Sequence, residues 1–279
     1  MKRMLEHYPV QTAYALVFSL FLLRIVDVFI IRSDELFGEQ VLTKVVGLIL
    51  IFTYVWFVKG NLTGVGFHSR NWIFCLLLGM CIMVVGLFIG YGVEWLYLYG
   101  KGLAPSILVE PQGNTIAPEY ATSNGVHFTL TLLGGNIINS FVEEGLFRGI
   151  LITHLGSRMS LIKANIIQAI LFGIWHIVWP LRDFADGRTT LLAALWTSAG
   201  YILLAGLIGY AWGYFYQKTN SLWTSWSAHT LNNSAINLVH IATPIGAPST
   251  LGMQVLVSTL IVVASLPIVR KVTQTQIVN

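Results

Sequence analysis

Three charged residues, Glu143, Glu144 and Arg148, lie within one strongly apolar stretch of the chain. A charge at the centre of a bilayer costs at least about 2.5–3.5 kcal/mol, so charges retained there indicate a functional site. Glu144 and Arg148 are four residues apart, the spacing of an ion pair within a helix. Adjacent helical residues point about 100° apart. We therefore predict that Arg148 holds Glu144, while Glu143 faces a cavity and can act as a base.

Polar side chains recur at helical spacing on three apolar segments. The three stripes are Asn136, Ser140 and Glu143; Asn165, Gln168, Phe172 and His176; and Ser225, His229, Asn233 and Asn237. A stripe that faced lipid would leave its polar groups without hydrogen bonds. The three helices are therefore predicted to turn these stripes toward one another around a polar intramembrane cavity.

A glutamate, two histidines and an asparagine are suited to hydrolysing an amide bond. Glu143 with His176 could deprotonate a water, and His229 and Asn233, one turn apart, could donate hydrogen bonds to the oxyanion. This chemistry needs no cofactor. Alternatively, Glu143, His176 and His229 match the ligand set of many catalytic zinc sites, where a zinc-bound water would attack. The residue types leave both mechanisms open.

The elements that must position these residues are membrane helices. The chain is 55% hydrophobic and only 10% charged, against roughly 25% charged in soluble domains. Apolar segments of about 20 residues can cross a hydrocarbon core of roughly 30 Å. We predict an all-α, polytopic membrane protein with one domain over residues 1–279, in which 126–242 (spans 4–7) hold the catalytic helices. The eight predicted spans are 11–31, 41–58, 72–99, 126–155, 161–180, 189–216, 221–242 and 250–269.

The charges outside the site predict orientation and partners. With these spans, nine loop lysines and arginines lie on the side of the N-terminus and five on the other side, so both termini are predicted to be cytoplasmic. The net charge of +4 forms no basic run, so no nucleic-acid partner is expected. Arg24 and Asp27, three residues apart in the first span, are predicted to neutralise each other.

Three motifs in order resemble those of the CAAX protease and bacteriocin-processing family. They are EExxxR from Glu143 to Arg148, FxxxH from Phe172 to His176, and HxxxN from His229 to Asn233. The resemblance is to the type II CAAX prenyl endopeptidases, and it implies cleavage after a prenylated cysteine near a protein C-terminus, within a cavity open to the cytosol and to lipid. It also implies that Glu143 is the general base, His176 its partner, and His229 with Asn233 the oxyanion site.

The same resemblance implies that Glu144 and Arg148 organise the site, with Phe172 in support, and it favours a glutamate-activated water over a metal. The expected partners are the lipid bilayer and a peptide or prenylated protein C-terminus. Nothing in the sequence indicates a prenyl pocket, so processing of other peptides, bacteriocin immunity or scaffolding are alternatives. A proton-coupled transporter is a further alternative, although the paired repeats typical of carriers are not evident.

Overall fold

The structure is a computed structural model that describes residues 7–37, 40–59, 61–68, 71–111, 125–244 and 251–278. It is built almost entirely of helices. These are α1 (Pro9–Val26), α2 (Ser33–Phe37), α3 (Val41–Tyr54), α4 (Trp72–Gly100), α5 (Gly125–Glu144), α6 (Thr153–Gly156), α7 (Leu161–Trp175), α8 (Val178–Ala185), α9 (Leu191–Thr219), α10 (Leu222–Leu238), α11 (Leu251–Ala264) and α12 (Leu266–Val278). π-helical turns continue α1 (Asp27–Ile31), α3 (Val55–Lys59) and α5 (Gly145–Ile152), and a 3₁₀ turn spans Leu62–Val65.

Six helical segments among the described residues are long and apolar enough to cross a membrane. They are Pro9–Ile31, Val41–Val58, Trp72–Gly100, Leu161–Ala185, Leu191–Thr219 and Leu251–Thr275. The predicted span 126–155 also folds as a helix, and the span 221–242 does so up to Leu238, but both fall outside this set. They carry many of the polar residues of the proposed site, and α10 has only 17 residues. The all-helical, polytopic membrane architecture is thus confirmed, while the count of eight crossings stays a prediction.

One predicted span ends earlier than expected. Helix α10 stops at Leu238, and the next residues form strand β2 (Val239–Ala242), which pairs antiparallel with β1 (Ser106–Val109). The hydroxyl of Tyr91 donates to the carbonyls of Ala235 (3.1 Å) and Val239 (2.8 Å). Carbonyls at a helix end need such partners, so Tyr91 and the short ribbon replace the last turn that the apolar pattern predicted.

The loops gather at two ends of the bundle. We call the end of the bundle that carries strands β1 and β2 the ribbon end. There Arg32, in the loop after α1, donates to Asp186, in the loop after α8, at 2.7 Å. We call the opposite end of the bundle the base end. There the amide of Leu222 donates to the carbonyl of Gly66 at 2.8 Å and joins the loops before α4 and α10. Helices α5, α7 and α10 run between these ends and carry most of the site.

Close packing of α7 against α9 depends on two glycines. A Cβ on Gly209 would lie 2.8 Å from the Phe172 ring, and one on Gly213 would overlap the side chain of Asn165. The exposed backbone of α9 accepts hydrogen bonds from Gln168 (to Gly209, 2.9 Å) and Asn165 (to Tyr210, 2.9 Å). Asn165 and Gln168 of the predicted stripe therefore bind α9, whereas Phe172 and His176 line the cavity.

Candidate active site

Glu143 is held through one of its two carboxylate oxygens. Its side chain is buried near the end of α5. Oε1 accepts hydrogen bonds from the indole N–H of Trp175 at 2.9 Å and from the amide of Asn139 at 3.1 Å, and it lies 3.7 Å from Nη1 of Arg24. Hydrogen bonds to a charged acceptor are roughly twice as strong as those between neutral groups. These contacts fix the plane of the carboxylate.

The other oxygen of Glu143 has no hydrogen-bond partner among the described residues. Oε2 is buried and lies 3.6 Å from Nε2 of His229. His176 and His229 are both close enough to interact electrostatically with this carboxylate. Glu143 itself is one of the residues that line the cavity.

Glu144 points away from the cavity into the protein. Its Oε1 lies 3.0 Å from Nη1 of Arg148 and accepts a hydrogen bond from Nδ1 of His229 at 2.8 Å. Arg148 is fully buried, donates to the carbonyl of Gly209 at 3.0 Å and stacks on the Phe172 ring at 4.3 Å. The ion pair expected from the four-residue spacing therefore forms, and its carboxylate also accepts the hydrogen bond that orients His229.

A π-helical segment, Gly145–Ile152, follows the two glutamates, and all of its residues are buried. Such segments are rare within α-helices and often occur at functional sites. This one lies directly after Glu144 and contains Arg148, so it sets the direction in which the guanidinium leaves the helix. Helical spacing in the sequence alone does not predict this π-helical segment.

His176 lies where α7 ends. Its Nδ1 donates to the carbonyl of Phe172 at 2.7 Å, because a carbonyl can only accept. The lone pair of this imidazole is therefore on Nε2, and the residue lines the cavity. His176 is thus oriented to accept a hydrogen bond or a proton from a bound group.

His229 is oriented by two neighbours, Glu144 and Trp212. A carboxylate only accepts, so Nδ1 of His229 carries a proton that it donates to Glu144. The imidazole stacks on Trp212, with ring centres 4.2 Å apart. Asn233, one turn further along α10, also lines the cavity, and its Oδ1 accepts from Asn232 at 3.4 Å. That bond leaves the N–H groups of Asn233 available as donors.

These side chains line a cavity of about 620 Å³ with two different walls. The polar wall comes from α1, α3, α5 and the segment between α1 and α3, and its residues are Arg24, Asp34, Gln40, Lys44, Asn136 and Asn139. The apolar wall comes from α9 and α11, and its residues include Leu204, Ala205, Ile208 and Val255, whereas α10 contributes Ile236 together with Asn232, Asn233 and Asn237. Glu143, His176, His229 and Asn233 all line this same cavity. It extends to Leu251, the first residue of α11, toward the ribbon end.

Three residues that contact Glu143 were not among the predicted site residues: Arg24, Asn139 and Trp175. Arg24 was expected to pair with Asp27, but its guanidinium lies beside Glu143 and over the Trp175 ring at 4.7 Å. Asp27 instead accepts hydrogen bonds from Ser33 and Thr43. The presence of an arginine within an apolar span was the available signal for Arg24, whereas the contact of Trp175 with Glu143 depends on tertiary structure.

The proposed zinc ligands were Glu143, His176 and His229. In the part of the chain that the structure describes, no three His, Cys, Asp or Glu side chains are grouped so that they could hold a metal ion. Glu143 Oε2 and His229 Nε2 lie 3.6 Å apart. This side-chain arrangement does not fit a three-ligand metal site.

Residues 125–235 match the family model described as "Type II CAAX prenyl endopeptidase Rce1-like". The match begins at the first residue of α5 and ends two residues after Asn233, so it covers all three motifs and the helices that carry them. The family resemblance is confirmed over this segment. No curated protein matches the sequence.

Proposed function

We propose that this chain is an intramembrane endopeptidase that hydrolyses a peptide bond near the C-terminus of a CAAX-type, prenylated substrate with a glutamate-activated water. A protease family matches the segment that forms the site. The observation that carries the mechanism is the asymmetry of Glu143, whose Oε1 is fixed by surrounding donors while Oε2 accepts no hydrogen bond from the described residues.

The nucleophile in this proposal is a water held between two acceptors. Glu143 Oε2 and His176 Nε2 can each accept one of its hydrogens, which directs an oxygen lone pair at the substrate carbonyl. As the C–O bond forms, Glu143 takes the proton. When the tetrahedral intermediate collapses, the C–N bond breaks and Glu143 returns this proton to the leaving amine. General base catalysis of this kind contributes about 10²- to 10⁴-fold.

The oxyanion would be stabilised from α10. Asn233 offers its amide N–H groups, and His229 can donate from Nε2 when both of its nitrogens carry protons. Glu144 accepts from Nδ1 of His229 at 2.8 Å, and Oε2 of Glu143 lies 3.6 Å from its Nε2. The loss of one oxyanion donor typically costs about 10²- to 10³-fold in turnover.

The two walls of the cavity support an amphiphilic substrate. Pockets for drug-sized ligands measure about 300–1,000 Å³, and this cavity measures about 620 Å³. A lipid chain attached to cysteine would pack on the apolar wall, and the residues beyond the cleaved bond would contact the polar wall. The scissile bond would then lie beside Glu143.

The proposal is tested with purified protein and a pair of reporter peptides, one farnesylated and one unmodified, each with and without a strong chelator. We expect cleavage of the farnesylated peptide that persists in chelator and is lost in Glu143→Ala and His229→Ala. Cleavage lost in chelator and restored by zinc would overturn the metal-free mechanism. Equal cleavage of both peptides would overturn the proposal that the substrate is prenylated.

We also propose that both termini face the cytoplasm, because lysine and arginine are concentrated at the base end. In a background with Cys75→Ser and Cys81→Ser, Lys163→Cys at the base end should resist an impermeant maleimide in intact cells, and Lys101→Cys at the ribbon end should react. The opposite labelling would overturn this orientation.

A further inference from the structure

One hydrogen-bonded contact joins the start of α2 to the start of α3. Oγ of Ser33 donates to Oδ1 of Asp27 at 2.6 Å and accepts from the amide of Val41 at 3.0 Å. Asp34 directly follows Ser33, and Gln40 directly precedes Val41. Both of these residues line the cavity, so the contact holds their side chains at one end of it.

The carboxylate of Asp34 lacks hydrogen-bond donors. The residue is 1% exposed, and neither of its side-chain oxygens has a hydrogen-bond partner among the described residues. The cation that contacts it is Arg182, whose Nη1 lies 3.9 Å from Oδ1. This arginine donates instead to the carbonyl of Val28 and to the carboxylates of Glu35 and Asp186. A buried acceptor without a donor is costly, so Asp34 needs a donor that enters through the cavity.

Gln40 has the opposite need, because its amide N–H groups lack an acceptor. The residue is 3% exposed, and its Nε2 has no hydrogen-bond partner in the described part of the chain. Asp34 and Gln40 thus present an unused acceptor and an unused donor to the same end of the cavity. In an extended chain the N–H and C=O of one residue point to the same side, as in the hydrogen-bonded pairs of an antiparallel ladder. An extended peptide backbone would complement both side chains.

Lys44 restricts the charge of the group that can bind here. It lines the same end of the cavity, and among the described residues it forms no ion pair with Asp34. Like charges repel strongly where the dielectric constant is low, so a cationic group beside Asp34 would be disfavoured. An uncharged N–H is compatible with Lys44 and still provides Asp34 with a donor. The main chain of a peptide substrate supplies such N–H groups.

We propose that Asp34 and Gln40 form a subsite for the backbone of one substrate residue on the released side of the cleaved bond, an inference that rests on the proposed function. Asp34 accepts from the N–H of that residue, and Gln40 donates to its C=O. The contact at Asp27 lies three residues, about 4.5 Å along the helix axis, beyond Arg24, which in turn contacts Glu143. One or two extended residues, at about 3.3–3.6 Å each, cover such a distance. Because the subsite contacts only main-chain atoms, it accepts residues with different side chains.

The test uses three farnesylated reporter peptides that each have three residues after the cysteine. One peptide is unmodified, and each of the others carries a methyl group on one of the two amide nitrogens within the released segment. A hydrogen bond to a charged group corresponds to roughly 10- to 100-fold in affinity, so in the wild type one methylated peptide should show a KM higher by about this factor. In Asp34→Leu the unmodified peptide should show a similarly raised KM, and methylation should have no further effect. Asp34→Asn keeps an uncharged acceptor oxygen and should show a smaller effect of methylation than the wild type.

Gln40→Met removes the donor, so KM should rise for all three peptides while the effect of methylation persists. Asp183→Leu is the matched control, because Asp183 pairs with Arg188 on the surface and lies outside the cavity lining, and it should keep the wild-type pattern. A wild-type KM that neither methyl group changes, or an effect of methylation as large in Asp34→Leu as in the wild type, would overturn the subsite. Failure of the proposed function is distinct, because the wild type would then cleave none of the peptides, including the unmodified one.

Discussion

Glu143 and Glu144 are adjacent in the chain and equally buried, yet their surroundings differ. Glu144 lies 3.0 Å from a fully buried arginine and outside the cavity lining. Glu143 has its nearest guanidinium at 3.7 Å and lines the cavity. The 100° between successive helical residues thus turns one carboxylate toward a buried arginine and places the other in the cavity lining. His229 contacts both.

The largest expected effect is on activity, at Glu143. Glu143→Gln keeps the shape of the side chain but removes the base, so kcat should fall by about 10²- to 10⁴-fold. The melting temperature should stay close to that of the wild type, because the amide carbonyl introduced by the substitution can still accept from Trp175. Initial rates with the farnesylated reporter, together with thermal unfolding in detergent, check this prediction. A rate within tenfold of the wild type would show that another group is the base.

At Glu144 the main effect should be on stability. Glu144→Gln leaves Arg148 buried without its carboxylate, and breaking a buried pair costs about 3–5 kcal/mol. We expect a large drop in melting temperature together with loss of activity. Replacing both partners by apolar residues, Glu144→Leu with Arg148→Met, should recover much of the stability but not the activity. Unchanged stability in Glu144→Gln would contradict the assignment of this pair to the scaffold.

His229 connects the two carboxylates and should behave as part of the reaction. His229→Ala removes the Nε2 donor, and we expect kcat to fall by about 10²- to 10³-fold with KM little changed. The measurement is a full kinetic comparison with the reporter peptide. If KM rises while kcat is retained, His229 serves in substrate binding and not in stabilising the oxyanion.

The smallest expected effect is at Trp175, which orients Glu143. Trp175→Phe removes the indole N–H and retains an aromatic ring against Arg24. A hydrogen bond to a charged group contributes about 1.5–3 kcal/mol, so we expect kcat to fall by roughly tenfold. The matched control is Trp223→Phe, since Trp223 donates to the carbonyl of His68 at the base end. Equal activity losses in the two variants would indicate a general packing effect.

Much of the fold and part of the site could be predicted because they depend on local spacing. Apolar runs predicted the helices, and the four-residue interval between Glu144 and Arg148 predicted their ion pair. The contact of Trp175 with Glu143 and the shift of Arg24 from Asp27 to Glu143 depend on which helices become neighbours. The β-ribbon at Val239 and the π-helical segment after Glu144 likewise arise from tertiary packing, which single-helix periodicity does not encode.

The central claim is that Glu143 activates water and does not attack the peptide itself. A single turnover in H₂¹⁸O, followed by mass spectrometry of both product and protein, tests it most directly. We predict one ¹⁸O atom in the new carboxylate of the product and none in Glu143. Label found in Glu143, with an unlabelled product, would reveal a covalent acyl intermediate and contradict the account.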